Sequence, residues 1–149
     1  MQFDISRDQL DGIALQQPAK TQGTAEININ GGMHFLPSSP DKTMHTAIVS
    51  LGLQLKGQEQ PFARGGWRIL FTSSEAFSPA DEQGHPFLRQ LLMLGTSKVI
   101  AQINNLCMHA NLPLLPFDAA QFAKAAEQQR QQGAQGAKPA APPPGADGN

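Results

Sequence analysis

The side chains with the most chemical reach in this sequence are four histidines, His34, His45, His85 and His109, and one cysteine, Cys107. The histidines do not fall at zinc-ligand spacings, and a lone cysteine supplies no Cys pair to help them. His45 lies on the apolar face of an alternating pattern, near its start. That placement reads as a partly buried histidine at a strand end rather than a catalyst. Cys107 falls within an apolar helical pattern, which favours a packed small hydrophobe over a nucleophile. Gly31-Gly32 and Gly65-Gly66 are not followed by the Lys-Ser/Thr or the helix that a phosphate cradle needs, so they read as turns. Ser73-Ser74-Glu75 lacks the glycines of a nucleophile elbow. Asp8, Asp11, Asp81 and Glu82 show no acid/base pairing and read as solvated surface carboxylates. The expectation is therefore a protein that is not an enzyme and that carries no cofactor and no metal.

Composition narrows the partners. The chain has 149 residues and a net charge of −1. Its basic residues are scattered, so it has no polycationic footprint for phosphate backbones, and direct nucleic-acid binding is not expected. A single cysteine fits a reducing compartment. The first residues, Met1 to Arg7, show no basic segment followed by an apolar one. No stretch approaches the ~20 apolar residues of a membrane span. Cytoplasmic location without membrane insertion is the expectation.

The elements that must position these residues come as strands first and helices second. Phe3, Ile5, Leu10, Ile13 and Leu15 suggest an edge strand with an irregularity near Gly12. Ala25, Ile27 and Ile29 alternate with Glu26, Asn28 and Asn30, and Gly31-Gly32 reads as the end of that strand. Residues 36–43 read as a loop. Ala47, Val49, Leu51, Leu53 and Leu55 occupy one face of a third strand, opposite a mostly polar or small face. Trp67, Ile69 and Phe71 mark a fourth strand. Short links between consecutive strands favour antiparallel neighbours. From Phe87 to Met108 the period changes to about 3.6, with Gly95 weakening the helix at its middle. After an apolar connector, Asp118 as N-cap, Gln121 as its capping-box partner, and Phe117 with Phe122 as staple start a second helix. The fold class is α+β, a four-stranded antiparallel sheet followed by two helices. Residues 1–127 form the domain. Residues 128–149, rich in Gln, Gly, Ala and Pro, read as a flexible tail.

Simple core packing explains most of the apolar residues. A short alternating face at Ala25, Ile27 and Ile29, and the apolar yet irregular connector from Leu112 to Pro116, also fit a groove between sheet and helix. Such a groove accepts an extended peptide through backbone pairing and apolar pockets.

The motifs add a family resemblance. Phe3-Asp4-Ile5-Ser6-Arg7 resembles the Phe-x-Ile-x-Arg of the SecB chaperone family, and Gln17-Pro18 its Ala-Pro. Ala25, Ile27 and Ile29 resemble its alternating second strand. Asn111-Leu112-Pro113-Leu114-Leu115-Pro116-Phe117-Asp118-Ala119 resembles its Asn-Leu-Ala-Pro-Val-Asn-Phe-Asp-Ala. The resemblance covers roughly residues 2–132 in element order and is carried by motif at the two ends. It implies a homotetramer built as a dimer of dimers, whose grooves bind unfolded or partly folded clients. The groove positions it implies are Ala25, Ile27, Ile29, Leu112, Leu114 and Phe117, with Phe122 added by a one-residue shift in the second helix.

The departures separate two clients. The family's acidic residues that recruit the SecA motor fall at Gly12 and Gln16, and near Leu70. Its acidic tail is replaced by Lys138 and a Pro/Ala run, and its Tyr-Ala-Arg-Glu helix motif is missing. The resemblance therefore implies the SecB-like chaperones of toxin–antitoxin systems, which protect an antitoxin, ahead of the general export chaperones that deliver preproteins to SecA. A non-catalytic structural or adaptor protein on the same fold is the alternative.

Overall fold

Four strands alternate apolar and polar side chains and pair into one sheet. They are β1 (Phe3–Leu15), β2 (Ile27–Phe35), β3 (Met44–Leu55) and β4 (Ala63–Ser73), followed by the helix α1 (Pro86–His109). The computed structural model describes residues 1–16 and 26–112, together with Lys124 and Gln128. The second helix expected from Asp118, and the tail beyond it, lie outside the described residues apart from those two exposed positions.

The spatial order is β1-β4-β3-β2, with every pair antiparallel. β2, β3 and β4 are sequential neighbours, as short links dictate. β1 departs from that rule. It pairs with β4, so β1 and β2 occupy opposite edges in a Greek-key order. The irregularity expected near Gly12 is present as a register shift between Leu10 and Gly12, and a second shift lies between Ile5 and Arg7.

Both glycine pairs read as turns are inside strands. β2 runs through Gly31-Gly32 to Phe35, and β4 begins before Gly65-Gly66. Gly65 is explained by packing. A Cβ there would sit 2.8 Å from Cγ1 of Val99 on α1. Gly95, expected to weaken the helix, has the converse role. α1 is continuous through it, and a Cβ at Gly95 would lie 2.5 Å from Cγ2 of Val49 on β3. The helix thus rests on the sheet through two close approaches, each made possible by a missing side chain.

Around these contacts the core closes. Val49, Leu53, Ile69 and Phe71 from the sheet meet Leu88, Leu91, Val99 and Ile103 from α1, all essentially buried. Each such side chain contributes about 1.5–3 kcal/mol relative to exposure. At one end, Phe3 stacks on Phe87 with centroids 4.2 Å apart and meets Phe77 edge-on at 5.0 Å.

The ends of α1 are set locally. His85 is the N-cap, its Nδ1 accepting from the Phe87 N–H at 3.2 Å, and Pro86 occupies the first turn. At the other end Asn111 adopts φ 53°. The Leu112 N–H then donates to the Cys107 carbonyl at 2.8 Å and the Asn111 N–H to that of Met108 at 3.2 Å. This is a Schellman cap with Asn in the left-handed position, and it folds Leu112 back towards Cys107.

Gly95→Ala gains about 1 kcal/mol of helix propensity but overpacks Val49 at a cost of about 1–3 kcal/mol. Urea denaturation is expected to show a net loss of stability for Gly95→Ala, and a smaller loss in Gly95→Ala/Val49→Ala than the two single changes sum to. An increase in stability from Gly95→Ala alone would contradict the close approach.

Candidate functional site

β2 alternates Ile27, Ile29, Gly31, Met33 and Phe35 on one face. These positions pair with Leu55, Leu53, Leu51, Val49 and Ala47 of β3, all buried under the helix layer. The β2 row therefore points to the α1 side of the sheet. Yet α1 packs on β4, β3 and β1 and is displaced from β2. Ile27, Ile29, Met33 and Phe35 remain half-buried while packing against the core from its margin.

The facing wall comes from α1. Phe87 and Lys98 are turned to β1, Phe87 through its stack on Phe3 and Lys98 through Asp8 at 4.0 Å. At helical spacing, Thr96, Ile100, Ile103 and Cys107 fall on the opposite flank. All four are buried. The β2 row, this flank and the β3 positions between them outline a trough whose wall and floor are buried, so that the β2 row is the part that keeps accessible apolar surface. Leu112 is delivered against the core near Cys107 by the Schellman cap. No charged side chain enters the β2 row. The Thr96 hydroxyl, fully buried on the trough flank, has no hydrogen-bond partner among the described residues.

Of the groove positions read from the sequence, the structure brings Ile27, Ile29 and Leu112 to this trough. Ala25, Leu114, Phe117 and Phe122 lie outside the described residues. Met33 and Phe35 were missed because Gly31-Gly32 reads locally as a strand end. The signal was present all the same, since the alternation Ile27, Ile29, Met33, Phe35 continues in phase across the glycines.

β2 is also an edge. It pairs only with β3 among the described strands, and its register carries no bulge. The opposite edge, β1, is interrupted twice and carries Asp4, Arg7, Asp8 and Asp11. Bulges and charges are devices that blunt a strand edge, and β2 has neither.

The histidine flagged in the sequence forms a different cluster. His45 is 3% exposed. Its Nδ1 lies 2.8 Å from the Ser38 hydroxyl and its Nε2 3.1 Å from that of Ser73. Ser73 donates its own proton to the Glu75 carbonyl, so it accepts from Nε2–H, and Ser38 donates to Nδ1. Both ring nitrogens are engaged beneath Phe71 and Phe77. The cluster ties the 36–43 loop to the ends of β3 and β4. Burial pushes the His45 pKa below its ordinary 6.5, against smaller opposing effects of the Lys42 backbone and Asp41. Burial also raises that of the Cys107 thiol, which keeps it protonated and inert.

A histidine held neutral in the fold contributes stability at and above its unfolded pKa and loses it as pH falls through the lowered folded value. Melting temperature is expected to drop on acidification below about pH 6.5. His45→Gln is expected to be less stable at neutral pH and to show a shallower acid slope. Equal slopes in both proteins would remove His45 from the account.

No family model matches the chain. No curated protein matches it either. Among solved structures it is similar to the Mycobacterium tuberculosis SecB-like chaperone Rv1957 in complex with a ChAD peptide from the HigA1 antitoxin. The identity is 16%, the TM-score 0.49, and the alignment covers 78% of this chain and 88% of that one.

Proposed function

We propose that this chain is a SecB-like molecular chaperone that holds an extended, non-native polypeptide in the trough between β2 and α1. The observation that carries the reading is the half-buried apolar row Ile27, Ile29, Met33 and Phe35 on a regular, unblunted sheet edge. An incoming segment gains backbone hydrogen bonds from the free edge of β2. Its alternate side chains reach the row, so affinity comes from main chain and selectivity stays loose. The motif resemblance at both ends of the chain supports the same reading. The motor-docking acids of export chaperones fall at Gly12 and Gln16 and near Leu70 here, and that loss favours an antitoxin over preproteins as client.

The proposal includes a cytoplasmic homotetramer. Ile5 and Leu10 on β1 are 38% and 41% exposed, and Leu94 lies on the α1 flank turned to β1. These form an apolar flank suited to a second copy. Among the described residues no helix is long and apolar enough to cross a membrane.

Light scattering with and without a permanently unfolded polypeptide tests the reading. A tetramer that gains the mass of one unfolded chain is expected. Ile29→Asp is expected to weaken client binding at least tenfold, about 1.4 kcal/mol, while leaving the tetramer intact. A species indifferent to unfolded chain would leave the adaptor reading. Micromolar binding of the SecA C-terminal zinc segment would restore the export role.

A further inference from the structure

The face of the sheet turned away from α1 carries a second recess. It is an open depression of about 550 Å³ reaching across all four strands, with Arg64, Asn30, Ser50 and Asp11 lining it among apolar and glycine positions. Register explains its depth. Gly12 pairs with Gly66 and Gly66 with Ser50, while the adjacent line runs Ala14, Arg64, Gly52, Asn30.

The lining points outward in two ways. Asp11 is satisfied by Arg68 at 2.6 Å. Arg64 is exposed and has no ion pair among the described residues, and the Asn30 and Ser50 side chains make no hydrogen bond there. The recess therefore presents one uncompensated positive charge beside two idle polar groups. Its glycine floor, in turn, is not required by the fold. A Cβ on Gly12 would meet nothing within 4 Å, and one on Gly52 or Gly66 would make only ordinary contacts at 3.7 and 3.5 Å. None of the three has positive φ. Gly65 and Gly95 are demanded by Val99 and Val49; these are not. Glycine inside a strand weakens it and marks a place where another backbone comes close. A local choice that works against the fold without structural need points to a site.

We propose that this recess docks an extended, carboxylate-bearing segment of a partner protein, with one carboxylate on Arg64. The guanidinium fork takes a carboxylate through two parallel hydrogen bonds. Asn30 and Ser50 pair with the segment's amides, and the glycine floor lets its backbone approach the sheet. Charge selects the occupant. With Asp11 already neutralised by Arg68, a lysine-bearing segment gains nothing and meets Arg64. The site lies on the opposite face from the trough, so both can be filled at once.

The test uses the full chain and a short fluorescein-labelled peptide of alternating glutamate and serine, with its lysine–serine counterpart as control. Anisotropy is expected to show saturable binding of the acidic peptide alone, weakened by added salt. Arg64→Glu and Gly12→Val are each expected to weaken it about tenfold or more with unchanged melting temperature. Ile29→Asp is expected to leave it unaltered. Should Gly12→Val lose the fold, Gly52→Ala takes its place. The proposal is overturned by absence of saturable binding, by equal binding of the lysine peptide, by indifference to both recess substitutions, or by loss only in Ile29→Asp, which would move the peptide to the trough.

Discussion

The close seating of α1 on the sheet governs the rest of this structure. Two contacts set it, Gly95 over Val49 and Val99 over Gly65, each placing an aliphatic side chain where a Cβ would collide. Interiors tolerate little volume change, so these points fix the helix's height and its position across the strands. A helix seated there buries Trp67, Ile69 and Phe71 on β4 and Val49, Leu51 and Leu53 on β3. It reaches β1 through Phe87 and Lys98. Among the described residues one helix covers the sheet, and the strand left at its margin is β2. The candidate trough is thus a consequence of where two glycines allow α1 to sit.

That dependence explains which features were legible in the sequence. The alternation of β3 and β4, the period of α1 and the burial of His45 and Cys107 all follow from local spacing, and the structure agrees with each. Misreadings occurred where a residue's role is set by a partner far along the chain. Gly31-Gly32 and Gly65-Gly66 carry the local signature of turns, yet cross-strand partners hold both pairs in extended backbone. Gly95 weakens an isolated helix but is needed by Val49, which lies on another element. β1 pairs with β4 across most of the domain, which link length could not reveal. The serine partners of His45 were likewise invisible, because Ser38 and Ser73 meet it only once the loop and two strand ends converge.

The two edges of the sheet are treated differently. β1 has two register shifts, a row of charges, and in Asp8 a carboxylate that accepts from the indole N–H of Trp67 on β4 at 2.9 Å. Its partner strand and α1 hold it to the core. β2 has an uninterrupted register, asparagines on its outer face and an apolar row on its inner face. An open edge with those properties is a hazard in a protein with no use for it, because it templates pairing with any extended chain. Its retention is consistent with a chain that pairs in a controlled way.

Burial is unequal among the strands. The fully buried residues come from β3, β4, α1 and Phe77, and none comes from β2. Side chains at the margin can change their contacts without opening the centre, because local stability follows local burial rather than the global value. Ile27 and Ile29 are half-buried, so each retains apolar surface that a ligand can still remove from water. A fully buried row would have none left to offer. A fully exposed row would lack the rigid floor that β3 supplies. The intermediate burial of β2 satisfies both requirements of a binding surface, and it follows from a helix held in place by Val49 and Val99.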